Sequence, residues 1–173
     1  MDFDLSQPPS SPCPGTAGRT LNAPVFGLCL VAVLLAGAWL RVPQASESLW
    51  VDELHTSWVV AGPPGDIPRR AAAGNQSPVY FLFVWQSVRL LGDHELALRL
   101  PSLVAGVALI AGGFCAVRRW TNDARAGLFA ALLLALNRDC IFFAQEARPY
   151  AWVQLFALLH GWLFLELARR PTT

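Results

Sequence analysis

LRLPSLVAGVALIAGGFCAV, residues 98–117, decides the fold class of this chain. Arg99 stands near its start, and no charge follows until Arg118. An uncharged apolar run of this length spans the hydrocarbon core of a bilayer as a helix, because lipid offers no partner to an unpaired backbone group. Three further runs repeat the pattern at 21–40, 126–143 and 151–168. The first is closed by Arg41 and Pro43, and the third is interrupted near its far end by Asn137, Arg138 and Asp139. The expected architecture is all-α: a polytopic transmembrane helical bundle over 21–168, with a disordered tail over 1–20 and a short tail over 169–173.

Composition agrees. The 173 residues are 54% hydrophobic and 14% charged, against about 25% charged in a soluble domain. A net charge of +1 with no polybasic cluster gives no argument for a nucleic-acid partner, and none is expected. All thirteen basic residues are Arg. Cys13, Cys29, Cys115 and Cys140 show no CxxC spacing, so neither a zinc site nor a disulfide framework is expected. The first twenty residues carry early acids and no basic start, which disfavours a cleaved signal peptide.

The aromatic stretch 78–91 is short for a crossing and contains Gln86 and Arg89; it suits an interfacial or re-entrant helix. The positive-inside rule favours leaving it out. With four crossings and the N-terminus inside, Arg19, Arg118, Arg119, Arg125, Arg169 and Arg170 are all cytoplasmic. The same count makes 41–96 one long external loop with interfacial helices, and loops of that length are commonly functional. It puts Asp52 and Glu53 on the same face as Gln145-Glu146-Ala147-Arg148-Pro149-Tyr150. A fifth crossing would separate the two motifs by the whole membrane.

Three polar groups near that face could carry chemistry. Asp52 and Glu53 point about 100° apart on a helix. Asp52 shares a face with His55 and Thr56, and Glu53 shares one with Ser57. Asp52 and His55 could hold a divalent cation or form an oriented acid–base pair; helix capping is the plainer role for the acids. Arg99 reads as a phosphate clamp or as a snorkelling Arg. Arg148 and Tyr150 could bind an anionic group with Glu146 orienting them, or a Glu146–Arg148 pair could close the loop. Trp50, Tyr80 and Trp85 read as interfacial anchors. His94 is expected as a surface loop residue and His160 as a packed one.

The order of these groups resembles the GT-C-fold membrane glycosyltransferases. An acidic pair follows the first span, Arg-Leu-Pro-Ser opens a later one, and Gln-Glu-Ala-Arg-Pro-Tyr follows a small-residue helix. The likeness is to the bacterial branch, similar to dolichyl-phosphate-mannose–protein mannosyltransferases and lipid A aminoarabinose transferases. It implies an inverting transfer of a sugar from a polyprenyl-phosphate carrier to an acceptor hydroxyl, on the external face of a bacterial inner membrane. Asp52 would then be the general base, alone or metal-assisted, with Glu53 in support. Arg99 and Arg148 would meet the departing phosphate, Tyr150 and Glu146 would position it, and helix 78–91 would guide the lipid tail. The family often has His-Pro-Pro or Lys-Pro-Pro where this chain has Gln76-Ser77-Pro78, so Gln76 would stand at a substrate contact. Proteins of this kind are usually much longer, so the expectation is an N-terminal part whose remaining helices belong to a longer chain or a second one. The rival reading is a non-catalytic membrane subunit or scaffold derived from such an enzyme. A transporter fragment fits less well, because the polar residues gather at one face and not at mid-membrane.

Overall fold

The computed structural model describes residues 23–169, and among these the regular structure is helical throughout. The tail expected over 1–20 lies outside the described residues. Helix α1 (Ala23–Trp39) leads into a loop, then α2 (Val51–Val60), a short 3-10 turn (Pro64–Asp66) and α3 (Ile67–Ala73). Next come α4 (Pro78–Leu91), α5 (Glu95–Thr121), α6 (Ala124–Leu136), α7 (Arg138–Gln145) and α8 (Tyr150–Ala168).

The long helix α5 is the centre of the bundle. α6 returns beside it, with Ile110 and Phe114 packed on Ala131 and Ala135, and α1 covers the same cluster through Leu30, Val33 and Leu34. Small residues let the backbones close up: a Cβ on Gly127 would lie 2.8 Å from the Phe114 carbonyl oxygen. Close approach through small residues is how helices associate where lipid removes the usual hydrophobic drive. α8 runs alongside α5, its start held by Trp152 Nε1 donating to the Pro101 carbonyl at 3.1 Å and its far end by Arg119 Nε donating to Glu166 at 3.1 Å. A second core, built from Val59, Ile67, Phe81, Val84 and Leu98, joins α2, α3 and α4 to the first turns of α5.

Helices α5 and α8 are long and apolar enough to cross a membrane. The expected span 126–143 is not one helix: α6 and α7 meet at a 58° bend. Asn137 causes the break. Its backbone is extended (φ −65°, ψ 123°), and its side chain accepts from the Cys140 amide at 2.9 Å, so it starts a new helix. The break frees carbonyls at the end of α6, and Arg41 collects them. This guanidinium, wholly buried, donates to Leu134 at 3.1 Å, to Ala135 at 3.3 Å and to Gly37 at 2.8 Å. The first expected span is described over the 17 residues of α1, and α4 is a 14-residue helix laid against α5.

Several smaller expectations are corrected. Tyr80 is buried, not an interfacial anchor: its hydroxyl pairs with Ser102 Oγ at 3.1 Å. Trp85 turns inward enough to donate to the Gly62 carbonyl at 3.0 Å, whereas Trp50 stays 70% exposed. His94 is a helix cap, its Nδ1 accepting from the Ala97 amide at 3.0 Å, and His160 is exposed.

Candidate active site

The two adjacent acids have opposite fates. Glu53 is 1% exposed, while Asp52 beside it is exposed. Glu53 accepts from four donors: Arg99 Nε at 2.9 Å, Arg99 Nη2 at 2.6 Å, the Ala147 amide at 2.7 Å and the Trp50 amide at 3.1 Å. The Trp50 bond caps the first turn of α2, so the capping role and the buried-charge role belong to the same carboxylate. Burial pushes this carboxyl up, but the Arg99 bonds and the two amides outweigh it and hold it below the usual range.

Arg99 is correspondingly committed. Besides Glu53 it donates from Nη1 to the Gln44 and Glu47 carbonyls, both at 2.7 Å, and from Nη2 to Ser48 at 3.4 Å. A guanidinium has five N–H donors, and these bonds use all of them at 2% exposure. The expectation of Arg99 as a phosphate clamp is therefore corrected: it ties the 44–48 loop and α2 to α5.

The same lock seats the 146–150 loop. Thr56 Oγ1 donates to the Ala147 carbonyl at 2.7 Å, and Ser102 Oγ to the Arg148 carbonyl at 3.0 Å. Thr56 thus lies on the buried face with Glu53, not on the Asp52 face expected for it. Arg148 Nη1 donates to the backbone carbonyl of Asp52 at 3.2 Å. With its amide oxygen turned toward the guanidinium, Gln76 accepts from Arg148 at 3.0 and 3.2 Å. Arg148 also lies over the Tyr150 ring, 5.8 Å from its centroid. The acidic pair and the later motif, 94 residues apart, do share one surface.

Glu146 is half-buried at that surface. Burial, and then the charges of Glu53 and Asp52, push its carboxyl up, with Arg148 opposing. The loop-closing bond runs through the backbone, Arg148 N–H to the Glu146 carbonyl at 2.8 Å.

The fit of a divalent cation to Asp52 and His55 is poor. Both ring nitrogens of His55 are buried without a hydrogen-bond partner, and Nε2 lies against Gly74. Among the described residues no group of three or more His, Cys, Asp or Glu is gathered.

A groove of about 350 Å³ opens beside Gln76 and Ser77, walled by Val79 and Tyr80 of α4 and by Trp152, Val153 and Phe156 of α8. Sequence reasoning missed the groove and the polar bolts Thr56, Ser102 and Arg41. Thr and Ser carry no positional signal, and Arg41 read only as the end of a span.

Comparison with curated proteins and with solved structures returns no match. A family model does match, over residues 75–173, more than half the chain. The matched stretch contains Gln76, Arg99, Glu146, Arg148 and Tyr150, and it starts after Asp52 and Glu53, which the Glu53–Arg99 and Glu53–Ala147 bonds tie to it. By that match, the chain belongs to the dolichyl-phosphate-mannose-protein mannosyltransferase family.

Proposed function

We propose that this chain carries the catalytic-loop part of a membrane glycosyltransferase that moves a sugar from a polyprenyl-phosphate carrier to an acceptor hydroxyl. One observation carries the reading: the Glu53–Arg99–Ala147 lock holds an exposed carboxylate, Asp52, next to a cation, Arg148, that contacts its backbone.

Asp52 takes the proton of the acceptor hydroxyl. The acceptor oxygen bonds to the anomeric carbon as the bond from that carbon to the phosphate oxygen breaks, and the electron pair leaves on the phosphate. A single displacement of this kind inverts the anomeric centre. Arg148 meets the charge that grows on the leaving phosphate, where a fixed cation is most useful. Gln76 and Tyr150 keep its guanidinium in place. The apolar groove between α4 and α8 starts at Gln76 and takes the first units of the lipid tail. No step runs through a metal ion.

The external face of a bacterial inner membrane, with a cytoplasmic N-terminus and with further helices from a longer or second chain, is part of the same proposal. The test is transfer of labelled sugar from a polyprenyl carrier in reconstituted membranes containing the full protein. Asp52→Asn is expected to lower turnover about 10²-fold or more with folding intact, since its carboxylate is exposed. Arg148→Ala is expected to weaken carrier binding as well. Normal turnover in Asp52→Asn would remove the base assignment. Unchanged transfer in both variants would favour the non-catalytic subunit.

A further inference from the structure

His55 is an odd choice for its place. It is half-buried on α2, and neither ring nitrogen finds a partner. Burying a polar atom without a partner is unfavourable, a cost that a phenylalanine or leucine would avoid. The ring is packed on three sides. Its centroid is 5.7 Å from that of Trp58 and 6.1 Å from that of Phe81. On the third side lies Gly74, where a Cβ would come within 2.6 Å of Nε2. The turn therefore rests directly on the imidazole.

That turn is tight. The Gly74 and Gln76 amides donate to the Ala71 carbonyl and the Asn75 amide to Ala72, each at 3.0 Å. Asn75 is left-handed (φ 53°), a conformation that Asn tolerates better than most residues. The next side chain out of the turn is Gln76, which accepts from Arg148.

We propose that His55 is a positioning residue: its flat ring wedges the Gly74–Asn75 turn and so holds Gln76 against Arg148. The role rests on Arg148 and Gln76 meeting the carrier phosphate. It assigns His55 to shape and not to its nitrogens, which separates it from a metal ligand or an acid–base group.

The test uses the full chain in phosphatidylethanolamine–phosphatidylglycerol nanodiscs, with polyprenyl phosphate as the probe. Two quantities are read: amide hydrogen exchange at 74–76, and carrier affinity. His55→Ala is expected to speed exchange at the turn and to weaken the carrier about tenfold, with the melting temperature of the bundle nearly unchanged. Gly74→Ala, which pushes a methyl into the ring, is expected to do the same. His55→Phe keeps a flat ring and is expected to restore both readings. Loss in His55→Phe equal to that in His55→Ala would overturn the proposal, as would unchanged exchange in both His55→Ala and Gly74→Ala. If Arg148→Ala leaves carrier affinity intact, the phosphate contact itself is wrong, and the exchange result still decides whether His55 supports the turn.

Discussion

At the scale of single residues, one register separates a structural acid from a chemical one. Glu53 and Asp52 differ by one position, yet Glu53 is buried and Asp52 is exposed. Removing one partner of a buried ion pair leaves an uncompensated charge, at a cost of about 3–5 kcal/mol. Glu53→Ala is therefore expected to destabilise the fold by that amount in detergent melts and to lower transfer only through misfolding. The pair also sets the acid response. Because the Glu53 carboxyl is depressed, its stabilisation is complete above about pH 4.3, the ordinary Glu value, and is lost as pH falls through its lower folded value. Glu146 is raised, so its contribution has the opposite sign: it is full below about pH 4.3 and is lost as pH rises through its folded value. Melting temperature is thus expected to hold or rise slightly as pH drops toward 5 and then to fall. Glu53→Gln should lack the final fall, and a wild-type fall confined to pH above 5 would contradict the assignment. The residue types were legible as chemistry in the sequence, since an acidic pair and an Arg in apolar surroundings stand out. Which acid would be buried was not, because Asp52 and Glu53 are equally placed until Arg99 and the Ala147 amide close on one of them.

At the scale of elements, the bend between α6 and α7 shows how an apolar run can contain a break. Asn137 and its neighbours interrupt the run in the sequence, but the continuation as a separate helix at 58° depends on who takes the freed carbonyls. Arg41, just past the end of α1 and almost a hundred residues away, takes two of them. Arg41→Met keeps most of the side-chain volume and leaves those carbonyls unpaired. Each buried orphan costs about 1–3 kcal/mol, so a drop of several degrees in melting temperature is expected. Asn137→Ala removes only a cap, worth about 0.5–2 kcal/mol. If Arg41→Met costs no more than Asn137→Ala, the carbonyls are not what holds the bend. Arg99 does for the 44–48 loop what Arg41 does for α6. Both arginines are internal donors to irregular backbone, which apolar surroundings tolerate only where protein satisfies it.

At the scale of the whole molecule, the site is formed by the meeting of α2, the start of α5, the turn after α3 and the loop before α8. That meeting requires the first loop and the 146–150 loop to lie on one side of the membrane. In a cysteine-free background, Ser57→Cys and Asp93→Cys are expected to react with a membrane-impermeant reagent from the same face, and Arg169→Cys only from the other. Labelling of all three from one face would break the arrangement. The uncharged apolar runs determined that the chain is helical and that it belongs in a membrane. These follow from sequence because bilayer thickness and backbone hydrogen bonding act on each segment by itself. The tertiary structure alone decided that Arg99 serves Glu53, that Arg148 is the cation left at the surface with Gln76 and Tyr150, and that His55 lies under a turn. Those outcomes depend on contacts between residues some 20 to 96 positions apart. No local pattern encodes which of two neighbouring side chains such a partner will reach.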